Sequence, residues 1–368
     1  MKVLSVFGTR PEAIKMAPLV SILAQSQGIE SKICVTAQHR EMLDAVLDLF
    51  KIHPDYDLNL MRHGQSLTGL SAAALSALDA VIKTEQPDLL LVHGDTTSAF
   101  TASLAAFYHR LPCGHVEAGL RTAHKYAPYP EEMNRRLTAV LADWHFAPTP
   151  GAADNLLAEG ITAQRVFVTG NTVIDALLAT VKQPCDLSGL GLNNVDWSRR
   201  VLLLTCHRRE NWGKPMACIF AALADLLRDF SDIEVIFPVH RNPLIRAQVA
   251  EHLSGLPRLH ICEPLSYLPF CHVMQRSYAV LTDSGGLQEE APALAKPVLV
   301  LREVTERPEA IAAGTARLAG VERAAIYAAA AHLLQDNDAY QKMAQAVNPY
   351  GDGHAAERIR DIILNMGY

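Results

Sequence analysis

No apolar run in this sequence approaches the roughly 20 residues that cross a bilayer. Met1–Phe7 runs straight into a turn, without the long apolar stretch and cleavage site of a secretory leader. The expectation is a cytoplasmic chain with no membrane partner. A basic excess is missing too: 33 Lys+Arg against 39 Asp+Glu leave a formal charge of −6. Nucleic acid therefore finds no electrostatic footprint, and any anionic ligand must be held by local cations. Cysteine is sparse and scattered, at Cys34, Cys113, Cys185, Cys206, Cys218, Cys262 and Cys271, an odd number with no Cys-x-x-Cys or His-x-x-x-His spacing. These read as reduced, mostly buried thiols, and neither a disulfide framework nor a metal site is expected. Low-complexity tracts are lacking, and 49% apolar with 20% charged residues is ordinary globular usage.

What the sequence does contain is length and alternation. At 368 residues it exceeds the size at which single cores usually stop growing, so two domains of roughly 150–200 residues are expected. Short β-branched or Leu-rich runs alternate with Ala/Leu-rich helical stretches, the pattern of βαβ units around a buried parallel sheet. Strands are expected at Val3–Phe7, Lys32–Thr36, Leu89–His93, His145–Pro148 and Arg165–Thr169. A second series runs over Val201–Thr205, Glu234–Pro238, Leu259–Ile261, Ala279–Thr282 and Val298–Leu301. Between Lys182 and Arg199, Gln183-Pro184 and the Gly/Asn-rich Ser188–Asn194 read as connecting chain, with the covalent crossover placed near Gly170–Asp175. The expected division is an α/β chain of two Rossmann-like, doubly wound domains facing a central cleft. The first covers 1–170 and the second 171–352, with the C-terminal helix 353–368 packing back on the first. That helix carries Ile359, Ile362 and Ile363 on one face.

Ligands of open parallel sheets bind beyond the carboxyl ends of strands, where loops and helix N-termini converge. The residues after each apolar run are accordingly informative. Gly8-Thr9-Arg10-Pro11-Glu12 and Gly94-Asp95-Thr96 follow strands of the first series and Glu117 follows the apolar run Gly114–Val116; His207-Arg208-Arg209-Glu210, His240-Arg241-Asn242 and Asp283-Ser284-Gly285-Gly286 follow strands of the second. Gly8 is a lone glycine, not a G-x-G-x-x-G dinucleotide fingerprint, so a dehydrogenase is disfavoured. Pro11 suits the first turn of a helix, with Arg10 and Lys15 able to reach the same mouth; the plainer alternative is two surface charges. Ser284-Gly285-Gly286 before the helical stretch Leu287–Leu294 suits a phosphate, or only a tight turn. Glu290, inside that helix, would accept from ribose hydroxyls, and Arg307 in the charged loop Arg302–Glu309 would clamp a diphosphate. A solvated loop with internal ion pairs is the competing meaning.

Asp95, Glu117 and Glu131 are three acids in the first half. Crowded in one site they would repel, raising at least one pKa and making proton transfer near neutral pH feasible. The alternatives are a loop cap for Asp95 and a favourable helix-N-terminal charge for Glu131. His207, from the second half, is the complementary proton-transfer candidate.

Several runs carry a resemblance: Phe7-Gly8-Thr9-Arg10-Pro11-Glu12-Ala13-Ile14-Lys15, His93-Gly94-Asp95-Thr96, His115-Val116-Glu117-Ala118-Gly119-Leu120-Arg121 and Pro130-Glu131-Glu132-Met133-Asn134-Arg135. Thr205-Cys206-His207-Arg208-Arg209-Glu210-Asn211, Pro238-Val239-His240, Asp283 through Glu290 and Thr305-Glu306-Arg307-Pro308-Glu309 continue it. Together they resemble the non-hydrolysing UDP-N-acetylglucosamine 2-epimerases, in family order through nearly the whole chain. The resemblance implies a glycosyltransferase-B-like architecture, a homodimer, no cofactor, and conversion of UDP-N-acetylglucosamine to UDP-N-acetylmannosamine as a precursor for surface polysaccharide. It implies elimination of UDP to 2-acetamidoglucal and re-addition. It places Asp95, Glu117, Glu131 and His207 in catalysis. Arg10, Lys15, Arg135, Phe270, Ser284, Gly285, Gly286, Glu290 and Arg307 fall to substrate or UDP binding. Some members bind a second UDP-N-acetylglucosamine as activator; Gln38, Glu41, Arg209 and His240 match that region, while Gly64-Gln65 departs from the Arg-Gln of some members. A same-fold glycosyltransferase and a non-catalytic nucleotide-sugar-binding regulator are the alternatives.

Overall fold

The structure, a computed structural model, describes residues 1–37, 40–60, 64–122 and 124–366, with 40–42 described by backbone alone. It divides into two compact units, Met1–Ala176 with Tyr350–Tyr368, and Leu177–Pro349.

The first unit is built on strands β1 (Lys2–Phe7), β2 (Glu30–Val35), β3 (Tyr56–Asp57), β4 (Leu89–His93), β5 (Cys113–Val116), β6 (Trp144–Ala147) and β7 (Val166–Val168). They form one parallel sheet in the order β3-β2-β1-β4-β5-β6-β7. The second unit holds β8 (Arg200–Thr205), β9 (Ile233–Pro238), β10 (Leu259–Cys262), β11 (Ala279–Thr282), β12 (Val298–Val300) and β13 (Ala316–Leu318). These are also parallel, in the order β10-β9-β8-β11-β12-β13. In both sheets the strand order reverses once, between β1 and β4 and between β8 and β11. Such a switch point opens a crevice at the strands' carboxyl ends, and the two places fall where the sequence is richest in polar residues.

The strand interiors are apolar because helices cover both faces. Leu4, Val6, Leu90 and Val92 are buried with Leu78, Val81 and Ile82 of the helix Leu67–Glu85 in the first core. Leu202, Leu204 and Val235 pack with Phe220 and Phe237 in the second, those two rings 5.8 Å apart. Truncating either phenylalanine to alanine would cost about 3–5 kcal/mol. The edge strands Tyr56–Asp57 and Ala316–Leu318 escaped the sequence reading because so few residues show no alternation.

By length and composition alone the 19-residue helix Leu67–Glu85 could cross a bilayer, which corrects the expectation that no segment comes near. Leu70, Ala74, Leu78, Val81 and Ile82 nevertheless lie buried in the protein. The helix Thr172–Thr180 carries the chain from the first unit to the second between Ala176 and Leu177. The stretch 182–199, read as the break, thus belongs wholly to the second unit. The chain returns at Tyr350, and the helix Ala355–Asn365 packs on the helix Arg10–Gln25 with Ile359 and Ile363 buried. Asp175 accepts from the backbone N–H of Ala355 (3.2 Å) and Ala356 (2.8 Å), capping that helix. All seven cysteines are free; Cys185 and Cys218 alone are partly exposed, the rest buried.

Candidate active site

At the first switch point β1 is followed by Gly8, where a Cβ would stand 1.8 Å from Thr36 Oγ1 and 2.9 Å from Ser98 Oγ. No side chain fits, so glycine is required by contact. Thr9 caps the helix Arg10–Gln25 in a reciprocal box with Glu12. The buried Glu12 accepts from the N–H of Gly8 (2.9 Å) and Thr9 (2.8 Å) and from the Thr96 hydroxyl (2.6 Å), tying the β1 and β4 loops together. Burial raises the pKa of this carboxyl while those bonds pull it down. Arg10 and Lys15 are thereby set on the first turns of a pinned helix.

Glu117, just beyond β5, sits in the left-handed region at φ 61°. Its Oε1 receives Lys15 Nζ and, at 2.8 Å, Asn171 Nδ2. Its Oε2 lies 3.5 Å from His93 Nε2. Burial lowers the His93 pKa to about 4, Lys15 adding to the shift and Glu117 opposing it, so the imidazole is neutral at neutral pH. Asp95 pairs with Arg135 through its carboxylate and accepts from Asn134 Nδ2 (3.0 Å) at its carbonyl. Arg135 also stands 3.4 Å from the fully buried Glu132, which holds Arg136 at 2.7 Å and the Thr122 N–H at 3.0 Å. Glu131 opens the helix Glu131–Leu141, where its charge meets the positive end of the helix dipole. Two of the three acids each face a cation of their own, because Lys15 and Arg135 are on the neighbouring helices.

The second switch point is organised by Asp283, at zero exposure. Its Oδ2 accepts from the N–H of His207 (2.9 Å) and Arg208 (2.8 Å) and from Asn211 Nδ2 (3.1 Å), while Oδ1 lies 3.2 Å from His207 Nδ1. Burial lowers the His207 pKa against the pull of Asp283. Its ring stacks on His240, centroids 6.2 Å apart. The expected helix Leu287–Leu294 is a short α-helical turn, Leu287–Glu290, that tightens into a 3₁₀ turn over Ala291–Leu294; Pro292 lacks the N–H an α-helix would use there. Gly285 faces two guanidinium groups: a Cβ on it would lie 3.7 Å from Arg208 Nη2 and 4.0 Å from Arg307 Nη2. Arg307 pairs with the buried Glu289 and donates to the Glu306 carbonyl (3.1 Å). Glu290 accepts from the Tyr267 hydroxyl (3.2 Å). Ser284 donates its N–H to Thr282 Oγ1 (2.9 Å), and Phe270 lies half-buried in the helix Tyr267–Arg276.

Of the candidate activator positions, Arg209 lies over the Trp212 ring at 6.0 Å and His240 accepts from the Asn242 N–H at 3.1 Å. Gln38 and the side chain of Glu41 lie outside the described residues. Leu265 lines a pocket of about 820 Å³ along β10, with Gly191, Arg246, Val249 and Ile261. Among the described residues no group of three or more His, Cys, Asp or Glu could hold a metal ion.

The sequence reading missed Asn171, Asn211, Glu289 and Tyr267, and it did not weigh His93 or Asp283. Asp283 carried a usable signal, being a charged residue directly after an apolar strand. His93 closes β4 and the others lie in loops or helices, where only the folded chain shows what they touch.

The family model for UDP-N-acetylglucosamine 2-epimerase matches residues 21–364. A UDP-N-acetylglucosamine 2-epimerase of Bacillus subtilis is 52% identical, covering 100% of this chain and 96% of its own length. The crystal structure of the UDP-GlcNAc 2-epimerase of Neisseria meningitidis bound to UDP-GlcNAc superposes with a TM-score of 0.89 at 49% identity, covering 99% of this chain and 100% of that one. The glycotransferase of kitacinnamycin, 11% identical over 98% of each chain, shares the fold with a TM-score of 0.62. On these matches the chain belongs to the UDP-N-acetylglucosamine 2-epimerase family.

Proposed function

We propose that the chain interconverts UDP-N-acetylglucosamine and UDP-N-acetylmannosamine, with Asp95, Glu117 and Glu131 supplying the base and acid at sugar carbon 2. The observation that carries this is Glu117 set between Lys15, Asn171 and His93, at the switch point that also bears Asp95. The carbon 2 proton is weakly acidic, since the N-acetyl carbonyl cannot delocalise a carbanion there. Its removal must be coupled to a good leaving group. A carboxylate takes the proton, the C–H pair becomes the carbon 1–carbon 2 double bond, and the carbon 1–oxygen bond breaks toward UDP. In the reverse addition a UDP oxygen reforms the bond to carbon 1 and an acid protonates carbon 2 from the other face. Arg10, Arg307 and the amides of Gly285 and Gly286 neutralise the departing diphosphate, the electrostatic contribution that is usually largest, with His207 beside it. Lys15 and Arg135 orient two of the acids. Glu290 and Phe270 serve the uridine end.

The chain works in the cytoplasm as a homodimer, without a cofactor, feeding surface-polysaccharide synthesis. Exposed Phe107, Tyr108, Leu137 and Val140, on the packed helices Thr97–Tyr108 and Glu131–Leu141, support self-association. A second UDP-N-acetylglucosamine acts as activator near Arg209 and His240. Incubation with UDP-N-acetylglucosamine alone in heavy water, followed by NMR, tests the reading: deuterium at carbon 2 with a mannosamine product is expected. Unlabelled substrate would point to a transferase or a regulator, and free UDP with free N-acetylmannosamine to hydrolysis.

A further inference from the structure

Asn171 stands where the chain enters the helix Thr172–Thr180, and each of its hydrogen-bonding groups has a separate task. Its backbone N–H donates to the Tyr350 carbonyl at 2.7 Å, where the chain returns to the first unit. Its Oδ1 accepts the Val173 N–H at 3.0 Å, and its Nδ2 reaches Glu117 Oε1 at 2.8 Å. The surroundings are closely packed. Gly170 and Gly351 have φ of 88° and 133°, and a Cβ on Gly170 would lie 3.3 Å from the Gly351 Cα. Tyr350 is fully buried. An asparagine amide is thus fixed at both its backbone and its acceptor oxygen, leaving the NH₂ aimed at the carboxylate.

From this geometry we propose that Asn171 is a positioning residue for Glu117. It fixes the rotamer of the carboxylate and, with Lys15, favours the ionised form that accepts the carbon 2 proton. The inference rests on the role given above to Glu117. Lys15 comes to the carboxylate from the helix Arg10–Gln25, His93 from β4 and Asn171 from the end of β7, so three elements constrain one acid. Lys15 contributes charge but a flexible stem, and His93 is neutral and just beyond hydrogen-bond reach. The rigid donor is the amide. Hydrogen bonds to the charged form favour that form, and a small misplacement of a reacting group is costly to rate.

Asn171→Asp tests this selectively, because it preserves the Oδ acceptor for Val173 and the backbone bond to Tyr350 while replacing only the donor by a second carboxylate. The full-length enzyme is expected to stay folded, with a somewhat lower denaturation midpoint because Asn171 is buried, and to bind UDP within about threefold of wild type. Its kcat should fall at least about 30-fold, and the acidic limb of its pH–rate profile should move to higher pH as like charge makes Glu117 harder to ionise. Asn171→Ala should lower kcat without that displacement to higher pH of comparable size. A kcat for Asn171→Asp within threefold of wild type, or a loss matched by equal losses in UDP affinity and stability, would overturn the proposal. Glu117→Gln is measured alongside. If it is inactive while the Asn171 variants turn over normally, only the positioning role fails; if it epimerises normally, the function given to Glu117 fails and takes this inference with it.

Discussion

The two switch points use the same four ingredients, acids, arginine or lysine, histidine and a close glycine, in opposite ways. In the first unit the acids Asp95 and Glu117 occupy the loop ends, and cations from adjacent helices hold them. In the second the acids Asp283 and Glu289 are buried as framework, and they hold backbone amides and the guanidinium of Arg307. One edge presents negative groups steadied by positive ones, and the other presents positive groups steadied by negative ones. The lesson is that strand order alone does not assign chemistry: Arg135 is more buried than its partner Asp95, whereas Glu289 is more buried than its partner Arg307.

Separate tasks for the two edges imply separable losses. The largest effect is expected for Asp95→Asn: turnover should fall by about 10²–10⁴-fold, the usual worth of a general acid or base. UDP affinity, measured by calorimetry, should stay near wild type; retained epimerisation would remove Asp95 from the chemistry.

A second contrast concerns acid. Burial lowers the pKa of His93 to about 4, of His115 to about 3 and of His145 to about 4, all on β4, β5 and β6 of the first unit. Unfolding lets each return to near 6.5, so the unfolded state binds more protons below that pH. Stability therefore falls as pH drops from about 6.5 toward 4, by roughly 1.4 kcal/mol per pH unit for each histidine. His207 in the second unit is lowered too but keeps 42% of its side chain exposed, so its share is smaller. Hydrogen exchange at pH 5 should show amides of β4–β6 opening before those of β8, β9 and β11. Simultaneous opening would erase the distinction.

A smaller effect is expected from Arg307→Gln, which removes a charged donor but leaves an amide near Glu289. UDP should bind about 10–100-fold more weakly, the worth of one charge-assisted hydrogen bond. The first-unit variant Asp95→Asn should show no such loss, and equal weakening in both would merge the two roles.

How far the sequence alone reached follows the same divide. Long apolar runs such as Leu89–His93 and Ala279–Thr282 announce buried parallel strands to the residue, because both faces are covered. Tyr56–Asp57 and Ala316–Leu318, at sheet edges, are too short for any period to show. Charged residues directly after apolar runs marked Asp95, Glu117 and His207. What Glu117 leans on was not legible, since Asn171 is 54 residues away and Lys15 is 102. Only folding makes them neighbours. The crossover, between Ala176 and Leu177, lies just past the expected Gly170–Asp175, because Thr172–Thr180 runs unbroken through the boundary, with no glycine or proline to mark it.

The late return of the chain has a consequence for biosynthesis. The helix Ala355–Asn365, which packs on the helix Arg10–Gln25 with Ile359 and Ile363 buried, leaves the ribosome after every strand of both sheets. Leu177–Pro349, by contrast, is contiguous and has all its residues earlier. Of the two units, the one begun earlier is thus completed later, and a nascent chain stalled before Tyr350 would hold a complete second sheet while the first unit still waits for its closing helix.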